Sequence, residues 1–546
     1  MKYEILDTDA LGRIGRLEYK EKQIITPNLI PVVHPYDNIL KPSEIQNIGF
    51  NSVFTNAYIL YQNREERQKA IEKGLNDYLN FNGLIATDSG AFQQYMYNKE
   101  DIKITPLEIE KFQENIGSNF PVILDIPVQP NDNYIQAKEK IELSIKRAKS
   151  NILRREKECC WMGPIHGGKF SDLLMKSSRE MNKLDFGIYA IGGLVKYFLD
   201  YRFPEIIKIL LTVKRNIIPS KPLHMFGLGL PQFFSIAVAC GCDLMDSAAY
   251  ILYAKEQRYF TLTTGTKNLE ELKEFPCNCP ICSKYTPKEI RQFENKKKIK
   301  LLALHNLYIS ISELKTIRQA IRDGNLWELI EERILAHPNL TDSLKNIIRN
   351  LDFIEIYEKI YKKHGRFFNS FQSYYRPIIV RYKQRLNNHY RIPKGVRFLI
   401  IIPELDLKGI NSPSIKSWLD QIKNNKRIPR EDIHIAFYSD FFGLIPFELS
   451  QTFPMGQYES INSKLLEYQT KSLPSTEIIN SIISSSTEYE KIAFLTPKYF
   501  TNQYYEEEKF DNPYYKKIFE RLKSKNNIPI RAFNTINEII NYFNQE

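Results

Sequence analysis

The stretch Gly83-Leu84-Ile85-Ala86-Thr87-Asp88-Ser89-Gly90 decides the fold of this chain. Five uncharged residues read as a short buried strand, an acid closes it, and Ser-Gly turns the backbone away. The layout recurs. Asn51 to Thr55, Pro121-Val122-Ile123-Leu124-Asp125, Gly187-Ile188-Tyr189-Ala190-Ile191, Leu223 to Phe226 and Cys242-Asp243-Leu244 are further strand candidates. Between them lie segments such as Ile135 to Glu156 and Phe203 to Arg215, with apolar residues three and four apart, the helical period. Strand–helix repetition over residues 1 to about 270 suggests an α/β fold, a (β/α)8 barrel of TIM type. Asp88, Asp125, Gly192 and Asp246 then share one address. All fall at or just beyond strand C-termini, the face on which such barrels carry their chemistry.

After the last of these strands comes Cys277-Asn278-Cys279-Pro280-Ile281-Cys282, and after 22 intervening residues His305. Three thiolates and one imidazole fit a single closed, tetrahedral zinc site. Four protein ligands leave no open position, so the zinc is expected to be structural. Cys159, Cys160, Cys240 and Cys242 lie in or beside apolar stretches, where a buried free thiol is the ordinary state. A total of seven cysteines speaks against a disulfide framework.

At 546 residues the chain should hold two to four domains. Hydrophobic residues make up 43% and charged ones 26%, enough for large cores under a polar surface. No apolar run approaches the ~20 residues that span a bilayer. Met1-Lys2-Tyr3-Glu4-Ile5 lacks the layout of a signal peptide, so a cytoplasmic protein with no membrane partner is expected. Net charge is +12 and pI near 9.0, which suits a polyanionic partner. Between Tyr361 and Arg397 there are ten Lys or Arg, no acid and eight aromatic residues. Cations for phosphates beside rings for stacking make an RNA-facing surface. An amphipathic helix with its rings packed inward has the same composition.

Read in order, several motifs resemble the tRNA-guanine transglycosylases, most closely their archaeal branch. They are Gly12-Arg13-Ile14-Gly15-Arg16-Leu17-Glu18, Leu124-Asp125-Ile126-Pro127, Ile191-Gly192-Gly193-Leu194, His224-Met225-Phe226-Gly227-Leu228-Gly229, Cys282 to Glu289 and Leu301 to Tyr308. The resemblance runs from about Tyr3 to about Pro338. It implies exchange of guanine at position 15 of the tRNA D-loop for 7-cyano-7-deazaguanine. Asp246 then matches the nucleophile that holds the ribose covalently, and Asp88 the general acid/base. Asp125 would accept from the N–H edge of the base. Ser89, Gly192 and Gly193 would let backbone approach it, with Phe92 stacked on its face and Phe226 beside it. His166 stands where the family often has Gln, facing the base carbonyl. Partners would be tRNA, guanine, 7-cyano-7-deazaguanine and a second copy of the chain in a homodimer. Taken alone, Asp246-Ser247-Ala248 also fits a helix N-cap, and Asp88-Ser89-Gly90 an Asx-turn.

The expected division is a catalytic barrel over 1–274, a zinc-binding subdomain over 275–310, a helical region with the basic and aromatic surface over 311–392, and a C-terminal α/β domain over 393–546. In the last, Val396 to Ile402, Asp432 to Tyr438, Lys491 to Leu495 and Pro529 to Phe533 read as strands. Phe442 to Leu449 and Phe453-Pro454-Met455 resemble a domain of archaeosine synthase. That family's strand-end motif appears as Pro403-Glu404-Leu405-Asp406-Leu407-Lys408, with Glu404 in place of its Cys and Ile415 near its His. Two further readings follow, a lysine transferase of that type and a non-catalytic tRNA-binding subunit. The lost Cys and His and the three barrel acids favour the transglycosylase over both.

Overall fold

The structure, a computed structural model, describes residues 1–91, 93, 104–156, 159–263, 265–405, 411–461, 489–502, 504–511, 513–525 and 528–545. Phe92 and Lys408 lie outside the described residues. The described chain divides into two units, Met1–Lys359 and Ile360–Glu546.

The first unit opens with an antiparallel sheet, β1 (Lys2–Asp9), β2 (Gly12–Tyr19) and β3 (Lys22–Thr26). Eight parallel strands follow: β4 (Asn28–Pro31), β5 (Ser52–Asn56), β6 (Leu84–Asp88), β7 (Phe120–Pro121), β8 (Met162–Ile165), β9 (Ile188–Ile191), β10 (Leu223–Met225) and β11 (Leu244–Ser247). They form one sheet in the order β5-β6-β7 and another in the order β4-β11-β10-β9-β8. Parallel bridges Val32–Phe54 and Val122–Met162 join the ends of the two.

Side chains alternate along a strand, and here one parity supplies a shared core. Ile30, Phe54, Leu84, Ala86, Phe120, Val122, Met162, Ile188, Ala190 and Leu244 all pack in it. Two residues further on that parity stand Asn56, Asp88, Gly192 and Asp246, and four beyond Met162 stands His166. The polar site thus grows out of the apolar core by the same period of two.

Four strands differ from the sequence reading. The strand expected over Pro121–Asp125 leaves the sheet after the Val122 bridge. Helix side chains satisfy the backbone beyond, Ser144 Oγ accepting from Ile126 N at 3.0 Å and Arg147 donating to Leu124 O at 2.9 Å. The strand expected at Cys242–Leu244 starts at Leu244. Gly241 N and Cys242 N instead close the preceding helix by donating to Val238 O and Ala237 O. β4 and β8 were not among the strand candidates. Each has only four residues and contains a proline, which weakens the strand pattern.

A two-stranded hairpin, β12 (Arg258–Thr261) and β13 (Gly265–Asn268), precedes the cysteine segment. A single 29-residue helix, Asn295–Asp323, then runs straight through residue 310. Residue 310 thus falls inside the helix that carries His305. No helix among the described residues is long and apolar enough to cross a membrane.

The second unit carries β14 (Arg366–Phe368), β15 (Phe398–Pro403), β16 (Ile433–Ser439), β17 (Gly443–Pro446), β18 (Tyr458–Ser460), β19 (Lys491–Leu495), β20 (Tyr499–Thr501), β21 (Glu507–Lys509) and β22 (Ile530–Phe533). Its main sheet runs β17-β16-β15-β19-β22, parallel except for β17. The stretch 361–397 belongs to this unit, and its rings are divided between core and surface. Phe368, Tyr374 and Tyr382 lie in the core, Arg366 and Arg376 are 1% exposed, and Tyr361 and Phe367 are exposed. Arg376 lies over the Phe368 ring at 4.9 Å. Hydrophobic burial takes three of the eight rings inward.

Candidate active site and metal centre

Asp88 is the last residue of β6 and pairs in register with Asn56 at the end of β5. Asn56 caps the next helix, its Oδ1 accepting from Ile59 N at 2.8 Å. That fixes the amide, so Nδ2 donates to Asp88 Oδ2 at 2.8 Å. Gly90 N approaches Asp88 Oδ1 at 3.3 Å. Gly90 has φ +106°, and a Cβ there would come within 2.8 Å of Tyr58. Burial, helped by the nearby Asp125 and Asp246 carboxylates, pushes the Asp88 carboxyl up to about 7 against donation from the Gly90 and Ser89 backbone. The Ser89 hydroxyl points inward and donates to Ile123 O at 3.0 Å.

Asp125 and His166 are both buried, and His166 Nε2 is hydrogen-bonded to Asp125 Oδ2. His166 Nδ1 has no partner among the described residues. A Cβ on Gly192 would fall 2.1 Å from His166 Cε1, so the imidazole packs directly on the Gly192 backbone. Gly193, at φ +76°, follows against Val128 O.

Asp246 sits near the end of β11. His224 Nε2 meets its Oδ1 at 2.8 Å, and Gly227 N approaches the same oxygen at 3.3 Å. His224 is fully buried between Phe226 at 4.9 Å and Phe54 at 6.2 Å, ring centre to ring centre. The sequence reading did not assign roles to Asn56 and His224. Asn56 directly follows the strand candidate Asn51 to Thr55, and His224 is the one polar residue in Leu223 to Phe226; those places were their signal.

The cysteine segment and the long helix bring Cys277, Cys279, Cys282 and His305 together. Their ligand atoms all lie within 4.8 Å of one another. Sγ of Cys282 and of Cys279 are 3.3 and 3.5 Å from His305 Nδ1. Tetrahedral zinc with ordinary bond lengths would set these at roughly 3.5 Å. His305 Nε2 lies 3.0 Å from Phe260 O, which draws the ring proton to that side and leaves Nδ1 facing the sulfurs. Tyr259 stacks on the imidazole at 3.7 Å. The donor set fits a metal.

The first unit thus brings together carboxyls at the ends of parallel strands, one of them raised to about 7, and carries a separate Cys3His group. A family profile described as Queuine tRNA-ribosyltransferase matches residues 7–339. The tRNA-guanine(15) transglycosylase of Methanocaldococcus jannaschii is 38% identical over 467 residues, 84% of this chain and 68% of that protein. That of Methanococcus aeolicus is 40% identical, over 86% of this chain and 70% of its own length. That of Pyrococcus furiosus is 41% identical, over 70% and 65%. The chain belongs to the family that the profile describes and is a transferase of the tRNA-guanine transglycosylase class.

Proposed function

We propose that this chain exchanges guanine at position 15 of the archaeal tRNA D-loop for 7-cyano-7-deazaguanine, through a covalent bond between Asp246 and the ribose. The observation that carries the reading is the pairing of two differently prepared carboxyls. Asp88 is raised to about 7, and Asp246 is held by two donors at the end of another parallel strand. A group with a pKa near the working pH can both give and take a proton. A fixed carboxylate can attack C1′. Relatives named for this exchange support the same reading.

The eight parallel strands and the bridges at both sheet junctions support closure into a (β/α)8 barrel of TIM type, with the zinc segment as an insertion. Asp125 accepts from the N–H edge of the base, and a base lacking those donors would leave it unpaired in a buried site. His166 holds Asp125 through Nε2 and packs on the Gly192 backbone at the edge of the base site. Gly192 and Gly193 bring backbone close. Phe226 borders the base and Phe92 stacks on it. Ser89 serves through its backbone, its hydroxyl being spent on Ile123. Cys277, Cys279, Cys282 and His305 hold one structural zinc that ties the hairpin to the long helix. The protein works in the cytoplasm as a homodimer, and the target base is unstacked from tRNA to reach the acids. The region from 393 onward serves as scaffold or tRNA contact.

The test is incorporation of radiolabelled guanine, then of 7-cyano-7-deazaguanine, into unmodified archaeal tRNA, with the position found by nuclease digestion. Label at position 15 is expected. Tight tRNA binding without incorporation would replace this reading with that of a non-catalytic tRNA-binding subunit.

A further inference from the structure

We infer that His224 is a positioning residue that selects Oδ2 of Asp246 as the bond-forming atom; this rests on the reading of Asp246 as nucleophile. Both donors to the carboxylate converge on one oxygen, His224 Nε2 at 2.8 Å and Gly227 N at 3.3 Å. Among the described residues Oδ2 has no donor, so its lone pairs alone are free for carbon. His224 is fully buried, and its Nδ1 has no partner among the described residues. A buried ring with one nitrogen in an apolar sheath keeps its single proton on the nitrogen that has an acceptor. Nε2–H therefore faces Asp246 and orients the carboxylate.

The same donor acts in both half-reactions. In the first, an Oδ2 lone pair forms the bond to C1′. The C1′–N9 bond breaks, its electron pair leaves with guanine, and the departing base takes the proton of Asp88. In the second, the incoming base returns a proton to Asp88 as its N9 lone pair bonds C1′, and the C1′–Oδ2 electrons go back to the carboxylate. Throughout, Oδ1 stays bonded to His224 and Gly227, so the carboxylate does not rotate between steps.

The test is a set of His224 variants assayed for exchange, with KM and kcat separated. Misplacing a nucleophile costs about a hundredfold, so His224→Phe should lose about that in kcat with KM for tRNA unchanged. Gln can put an amide N–H near the position of Nε2, whereas the shorter Asn cannot reach it. His224→Gln should therefore run at least about tenfold faster than His224→Asn, a comparison that stands even where the Phe variant does not fold. Equal rates for Gln and Asn, or a Phe variant within about threefold of the parent, would overturn the proposal. Asp246→Ala in parallel separates the two failures. Exchange that survives there removes the nucleophile reading itself, while a dead Asp246→Ala beside an unaffected His224→Phe removes only the role of His224.

Discussion

Each unit of this protein puts carboxyls at the ends of parallel strands, and the two sets are prepared differently. In the first, Asp88 takes Asn56 Nδ2 and Gly90 N, and Asp246 takes His224 and Gly227 N. In the second, Glu404 follows β15 and Asp440 follows β16. Burial is the first cause in both, raising Glu404 to about 7, with Asp440 adding to it, and Asp440 to about 6. Their donors are hydroxyls of the same unit: Ser460 Oγ to Glu404 at 3.3 Å and Tyr438 OH to Asp440 at 2.7 Å. A raised carboxyl is thus common to both units. What separates them is the donor set of the second acid: His224 Nε2 and Gly227 N converge on one oxygen of Asp246, whereas Asp440 takes a single hydroxyl among the described residues.

The comparison breaks or holds first at Asp246. Asp246→Ala should lower exchange by at least ~10⁴-fold while filter binding of tRNA persists; retained exchange would leave the two units chemically alike. Asp88→Asn comes next, with an expected loss of ~10²–10⁴-fold in kcat. Its pH behaviour has a definite sign. The parent needs protonated Asp88 to release guanine and ionised Asp88 to receive the new base. Release should therefore weaken above pH of about 7 and the return step below it. Single-turnover rates for the two half-reactions across pH 5–9 should slope in opposite directions, and parallel slopes would refute the assignment. Cys279→Ser should lose bound zinc, read by metal analysis, together with soluble protein, whereas Cys242→Ser should keep its zinc, since Cys242 lies outside the Cys3His group. Full zinc in Cys279→Ser would contradict the site.

Much of this was legible in the sequence. Asp88 and Asp246 stood at the ends of apolar runs, and C-x-C-x2-C with a later His needed no tertiary information. What stayed hidden depended on register. Asn56 faces Asp88 across 32 residues, and His224 faces Asp246 across 22, because adjacent parallel strands align their ends. The proline-containing four-residue strands β4 and β8 lacked a pattern long enough to read. In residues 361–397 composition does not say which rings turn inward: Phe368, Tyr374 and Tyr382 complete the core, while Tyr361 and Phe367 stay exposed.

A smaller effect sharpens the comparison from the second unit. Glu404 has a folded value near 7 against an ordinary 4.5, and its Oε2 has no hydrogen-bond partner among the described residues. A carboxyl raised on folding costs stability above its folded value, and the cost disappears as pH falls through about 7 toward the unfolded value. Glu404→Gln should therefore stabilise the second unit by about 2–3 kcal/mol at pH 8, with no gain by pH 4, as followed by denaturant melts. Exchange should stay within about twofold of the parent. A loss of activity as large as that of Asp88→Asn would make Glu404 a working acid and erase the distinction between the units.

The smallest expected effect concerns what remains of the basic stretch once its buried rings are counted as core. Lys363 and Arg385 are exposed, and the aromatic neighbours Phe368, Tyr374 and Tyr382 are not. Such cations can meet phosphates, with Tyr361 and Phe367 the exposed rings of the stretch, and the contribution of the cations themselves should be electrostatic. Replacing both with Ala should weaken tRNA binding a few-fold and lower the slope of log affinity against log salt by about 2, leaving kcat unchanged. Lys296 and Lys297, exposed at the start of the long helix beside the Cys3His group, provide the matching pair in the first unit. A larger slope change there than at Lys363 and Arg385 would put the phosphate grip with the catalytic unit. An unchanged slope for the second pair would leave 361–397 with a purely structural role, its cations solvating the surface over an aromatic core.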